Sequence, residues 1–261
     1  GDNINLSADT VIVIDTHMDL TKNQALSKQR EKVLWIDNLL SMKEELSIEN
    51  LQFRNCSLSS EIQKLGGDTN YKLELTNLNG KISNVSTSKN SDQLIVDVQS
   101  HVFGTGKLEL KARLLYDNPQ VSYFEGTISN IDLKSFNNLI VKMYSLKIEE
   151  GELSRLDFSG KSHGAQSKGK LTFLYEDLKA SVIKESNGEN KRAKLISKLL
   201  NFAIHSSNPR EGESSPQHVD FSFTKEKHHG QIMLWLGGII DGTVLTIIGE
   251  NKHQFLVKRM D

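Results

Sequence analysis

Two glycine-bounded stretches carry the letters of known chemistry. Gly160-Lys161-Ser162-His163-Gly164 matches the G-x-S-x-G spacing of a serine-hydrolase elbow. That chemistry needs a strand, a sharp turn and then a helix, so that the serine stands exposed beside an oxyanion hole. Leu171-Thr172-Phe173 downstream reads as strand, so the expectation here is a hairpin tip. Gly164 to Leu171 (GAQSKGKL) nearly completes a phosphate-binding loop. It ends in leucine where a magnesium-liganding hydroxyl is required, and no helix pattern follows to aim its N-terminus at phosphate. His228-His229, with His218 and His253, has no spacing that clips zinc, and no metal is expected. The sequon letters at Asn5, Asn55 and Asn84 matter only in a eukaryotic secretory protein. Cys56 is the one cysteine, so no intrachain disulfide forms, and a buried thiol is expected. No catalytic set emerges, and the expectation is a protein that is not an enzyme and uses no cofactor.

The 261 residues carry 32 basic and 33 acidic side chains, a net charge of −1, which argues against a nucleic-acid partner. Mean hydropathy is −0.41, so much of the surface is wet. Only three prolines interrupt the chain, and long strands are allowed.

The stretch that organises the rest is Ser145 to Ile183. Leu156 and Phe158 share one parity, as do Leu171, Phe173 and Tyr175, so each arm of a hairpin turning at 163–166 has one apolar side. Leu108, Leu110 and Leu114 repeat the pattern on another strand. Alternation also marks 71–75, 94–98, 121–123 and 219–223, with turns at 66–68, 104–106 and 117–119. An apolar residue, two spacers and two alternating apolar residues recur at Ile48/Leu51/Phe53, Ile128/Ile131/Leu133 and Leu153/Leu156/Phe158, with a partial copy at Leu75/Leu78. Two spacers break strict alternation, so each unit is expected to hold a kink or bulge. Thr10 to Ile14 is apolar on both parities and predicts a strand buried on both faces. Helical patterns cover 22–44 and 191–205, and 206–217 reads as a mobile loop. Ile232 to Gly249 is the most apolar segment. Asp241 and three glycines weaken a membrane span there, leaving a buried element or one that touches a membrane or partner through Leu234, Trp235, Ile239 and Ile240.

The order and spacing of Phe124-Glu125-Gly126-Thr127-Ile128, Ile131-Asp132-Leu133, Phe136-Asn137, Ile148, Gly151, Leu153, Gly169 and Tyr175-Glu176-Asp177-Leu178 resemble AsmA-like envelope proteins, and Glu45 to Ser59 is similar to that family's earlier strands. The resemblance implies a long, bent antiparallel sheet forming an open trough with an oily interior. It implies the periplasm of a double-membraned bacterium, an inner-membrane anchor in the full-length protein, and a part in phospholipid transport and outer-membrane integrity. It brings no catalytic residues.

The expected fold is therefore mainly β: one elongated domain over 1–261, with two or three helices, divisible into a trough over 1–183 and a helix-containing cap over 184–261. The expected partners are phospholipid or acyl chains and the inner or outer membrane. The expected groove lining is Leu108, Leu110, Leu114, Leu156, Phe158, Leu171, Phe173 and Tyr175. The competing expectation is a structural envelope protein whose oily face is a closed core.

Overall fold

A computed structural model describes residues 5–23, 32–63, 70–88, 92–137, 141, 146–182, 204–225, 227 and 229–249. Ten strands form one open sheet: β1 (Asn5–Ile14), β2 (His17–Asn23), β3 (Glu45–Gln63), β4 (Asn70–Ser86), β5 (Gln93–Val102), β6 (Gly106–Leu115), β7 (Val121–Asp132), β8 (Leu146–His163), β9 (Gln166–Val182) and β10 (His218–Thr224). A short helix, α1 (Trp35–Leu40), precedes β3, a single 3₁₀ turn follows β7 at Leu133–Phe136, and a long helix, α2 (Gln231–Ile248), ends the described chain. The sheet is mainly β and unclosed, as expected, and α2 is the one long helix among the described residues, at the low end of the expected helix content.

From β3 to β9 each strand pairs antiparallel with the next, which short turns allow. The β8–β9 hairpin turns on Gly164-Ala165 with Gly164 at φ 58°, a conformation glycine adopts freely. The start of the chain departs from the meander. β1 and β2 both run parallel to β3, with Asn5 opposite Glu45 and His17 opposite Ser57, an offset of 40 residues in each case. They are two halves of one edge strand, interrupted at Asp15 (φ 52°) facing Asn55 (φ 53°). The expectation that 10–14 is buried on both faces is corrected: β1 lies at the edge, and Ile12 and Ile14 are 43% and 53% exposed. The expected helix over 22–44 is also corrected, since β2 reaches Asn23 and the helix described there is confined to 35–40. Almost all of the 191–205 pattern, with the 66–68 turn, lies outside the described residues.

Kinks occur where short polar side chains sit at positive φ: Asn55, Asn77, Asn130 and Asp177, at 51–60°. Asn and Asp enter this region more readily than other side chains. Asn77 and Asn130 fall in the paired spacers of the recurring pattern, and the register also shifts between Leu153 and Arg155. The Ile48–Leu51 unit stays regular, and β3 kinks later, at Asn55. The side-chain amide of Asn55 donates to Asp15 Oδ1 (2.6 Å), and Asn79 Oδ1 accepts from the Asn55 backbone N–H (3.0 Å). These kinks lie near the level where the β5–β6 hairpin ends. Beyond it β4 loses its partner β5 at Leu75, while β3–β4 continue to Gln63 and Asn70 and β8–β9 continue to Leu146 and Val182. The sheet is forked there.

One face is apolar across the whole width. A single cross-strand row reads Val13, Phe53, Gly80, Val98, Leu110, Gly126, Phe158, Leu171 and Val219. On this face glycines stand opposite phenylalanines: Gly126 opposite Phe158, Gly160 opposite Phe124, Gly169 opposite Phe221. The rings fill the missing side-chain space, and a Cβ on any of the three would lie 2.5–2.6 Å from its ring.

Helix α2 covers one end of this face, over β8, β9 and β10. Three glycines set its close approach: a Cβ on Gly237 would sit 2.3 Å from the Phe223 ring, on Gly238 2.6 Å from Phe221, and on Gly242 2.4 Å from Leu171. Residues 184–261 thus supply both an edge strand and a covering helix. The segment 206–217, expected to be a mobile loop, is pinned at Asn208, whose side chain donates to Phe173 O (2.8 Å) and accepts from the Gln217 backbone (2.7 Å).

Candidate functional site

The eight expected lining residues do share one face, because Leu156 pairs with Phe173, Phe158 with Leu171, and Leu108 and Leu110 reach β8 through Ile128 and Gly126. Their surroundings divide them. Leu114, Leu156, Phe158, Leu171, Phe173 and Tyr175 are at most 5% exposed, closed over by the protein itself. Leu108 and Leu110 are only half-buried. With them on the same face are Val11, Leu51, Ile82, Val98 and Ile128, all half-buried and flanking the core. Among the described residues the apolar face is therefore sealed under α2 and at Leu94, Val96, Ala112, Leu114 and Phe124 of β5–β7, and half open at Val11, Leu51, Ile82, Val98, Leu108, Leu110 and Ile128. Phe53, Ile82 and Val98 join this strip only through register, which no periodicity within one strand reveals.

The sealed end is built around Trp235. Its ring stacks on Phe124 (5.4 Å between centroids, 23°) and meets Trp35 edge-on (5.6 Å, 72°). Its indole N–H donates to Ser122 Oγ (3.1 Å), and Gln231 Nε2 donates to the same oxygen (3.0 Å). With both acceptor positions of Ser122 occupied, its proton goes to Ser162, the remaining partner. Ser162 is thus fully buried inside β8 and serves as a hydrogen-bond acceptor, so the G-x-S-x-G letters mark a sheet position and no elbow. The GAQSKGKL letters likewise lie in the turn and β9. Of the expected membrane- or partner-contact residues, Leu234, Trp235 and Ile239 are 9% exposed or less and Ile240 is intermediate. The exposed apolar side chain of α2 is Ile232 (47%). The helix has the length and hydropathy of a membrane span, with half of it buried against the protein.

Two buried tyrosines brace the core. Tyr175 donates to His205 O (2.9 Å), and burial pushes its phenol well above the ordinary 10.0, against the smaller pull of the Arg210 guanidinium. Tyr116 donates to Asn84 O (2.7 Å) and accepts from Ser86 N (2.9 Å), and burial raises its pKa too.

The opposite face is polar. Glu109, Lys111, Glu125, Asp157, Lys170 and His218 project into a shallow depression of about 660 Å³ over β6–β10. Arg155 and Thr127 donate to Asp157 and hold its carboxyl below the usual range, the Arg155 bond being the larger cause. Thr172 and His218 hydrogen-bond at 2.5 Å. Among the described residues no group of three or more His, Cys, Asp or Glu could hold a metal ion. Cys56 is buried and reduced, its thiol donating to Val13 O (3.3 Å). Comparison with family models, curated proteins and solved structures found no match.

Proposed function

We propose that this chain is an AsmA-like lipid-binding module of the periplasm, taking acyl chains along the half-open apolar strip. The observation that carries the reading is the strip itself: one face of an open sheet runs unbroken from a sealed core to Leu110, Val98, Ile82 and Leu51, where apolar side chains keep contact with solvent. A strip of that kind gains about 0.8 kcal/mol for each acyl methylene it removes from water. Its use needs no catalytic side chain and no cofactor. In this reading the module works between inner and outer membrane, anchored to the inner one in the full-length protein, and supports outer-membrane integrity.

The test is binding of a fluorescent fatty acid and of phospholipid, with native mass spectrometry after gentle extraction. Leu108→Ser with Leu110→Ser weakens binding at unchanged circular dichroism, whereas Leu156→Ala under the sealed end lowers stability and leaves affinity alone. A protein that carries no lipid and accepts no probe ends the proposal. That outcome favours the second reading, a structural envelope protein, for which the burial of six of the eight expected lining residues is the supporting observation.

A further inference from the structure

The two edges of the sheet are managed differently. β10 is seven residues long, carries His218 and Asp220, and has α2 packed on it. β1 is ten residues long, NLSADTVIVI, with no proline, lysine or arginine and one charge, Asp9. It pairs with β3 on one side, and among the described residues nothing pairs with the other. An outer strand offers a row of unsatisfied N–H and C=O groups, and natural edges are usually blunted by charge, proline or a bulge. Within 5–14 β1 has none of these beyond Asp9. The first interruption is the positive-φ Asp15 just past its end. Three large apolar side chains stand on one parity of this strand, Leu6 at 50%, Ile12 at 43% and Ile14 at 53% exposed.

We propose that β1 is a dimerisation edge, pairing antiparallel with β1 of a second copy about a two-fold axis at Thr10. Unpaired backbone on an outer strand is satisfied by another strand, so the geometry specifies an extended partner. The sequence specifies a second copy, because β1 is self-complementary about Thr10. In that register Leu6 lies opposite Ile14, and Ala8 opposite Ile12, in both directions, and Thr10 opposite Thr10. On the other face Asp9 meets Val11 and Ser7 meets Val13. Every exposed large apolar side chain of the strand is then covered by an apolar one. The neighbouring registers are worse. Centring on Asp9 sets two carboxylates directly opposite, which is destabilising. Centring on Val11 puts Leu6 opposite Thr16, beyond the end of β1. The Thr10 register joins two ten-stranded sheets into one, with Val11 beside Asp9 and Val13 beside Ser7 where the apolar faces meet.

Sedimentation equilibrium of the whole chain tests the state. The wild type shows a monomer–dimer equilibrium. Ile12→Lys, at an exposed position that leaves the fold intact by circular dichroism, raises the dissociation constant about tenfold or more, since the change occurs twice across the axis. Cysteine scanning tests the register. Thr10→Cys, which faces itself, oxidises to a covalent dimer, and Asp9→Cys, which faces Val11, does not, with the wild type controlling for buried Cys56. A wild type that stays monomeric at all concentrations overturns the proposal. So does a dimer indifferent to Ile12→Lys, or one in which Asp9→Cys crosslinks as readily as Thr10→Cys.

Discussion

Replacing Gly242 by alanine sets two well-sized effects against each other. In a helix interior alanine is favoured over glycine by about 1 kcal/mol, so a free α2 would gain stability. The docked helix has no room for the methyl. Its Cβ would lie 2.4 Å from Leu171 Cδ2, 3.0 Å from Leu171 Cγ and 3.2 Å from Phe221 Cβ. Leu171 is 2% exposed and Phe221 3%, so neither can swing into solvent. Either Leu171 leaves its rotamer or α2 lifts and loosens Trp235 and Leu234. Overpacking of this kind costs about 1–3 kcal/mol, occasionally more. The expected net result is a loss of up to about 2 kcal/mol, read as a fall in Tm of up to about 8 °C at roughly 2–4 °C per kcal/mol. Urea unfolding followed by circular dichroism gives the free energy directly. Trimming Leu171 to alanine in the same chain restores part of the loss, so the double variant is more stable than the sum of the singles. If Gly242→Ala stabilises by the full helix increment, α2 does not rest on Leu171, and the division of the apolar face into sealed and open parts is wrong.

Other outcomes follow from the sealed end. Ser122→Ala strips the Trp235 N–H, the Gln231 amide and Ser162 of a shared partner and costs about 1–3 kcal/mol, seen as a lower urea midpoint at unchanged slope. Tyr116 and Tyr175 both have folded pKa values above the unfolded 10.0. Their contribution is whole below about pH 10. Above it the unfolded chain ionises first, and stability falls by about 1.4 kcal/mol per pH unit for each tyrosine until the folded phenol ionises. Tyr175→Phe flattens that alkaline limb in urea titrations taken at successive pH values.

Much of the architecture could be read from parity alone. Leu156, Phe158, Leu171, Phe173 and Tyr175 alternate cleanly, and they do form one apolar face of one hairpin. The kinks at Asn77 and Asn130 were foreshadowed by paired spacers. Parity says which side a residue faces and nothing about what lies above it. Hence six of the eight lining candidates are sealed, and α2 lies far in sequence from β8 and β9, which carry five of them. In the sequence Gly237, Gly238 and Gly242 weaken a membrane span, whereas their physical role is close contact with Phe223, Phe221 and Leu171. Thr10 to Ile14 shows the reverse limit. β-branched residues on both parities suit a central strand, yet here they form an edge, and composition cannot tell a second copy from a neighbouring strand.

The fork beyond the β5–β6 hairpin divides the labour of holding the molecule together. Below it β3 to β9 each have a hydrogen-bonded neighbour on both sides, while the outer strands β1 and β10 have one among the described residues. Above it, among the described residues, the β3–β4 prong and the β8–β9 prong share no hydrogen-bonded ladder. The two tips are therefore held to each other through the shared sheet beneath them and by no ladder described between them.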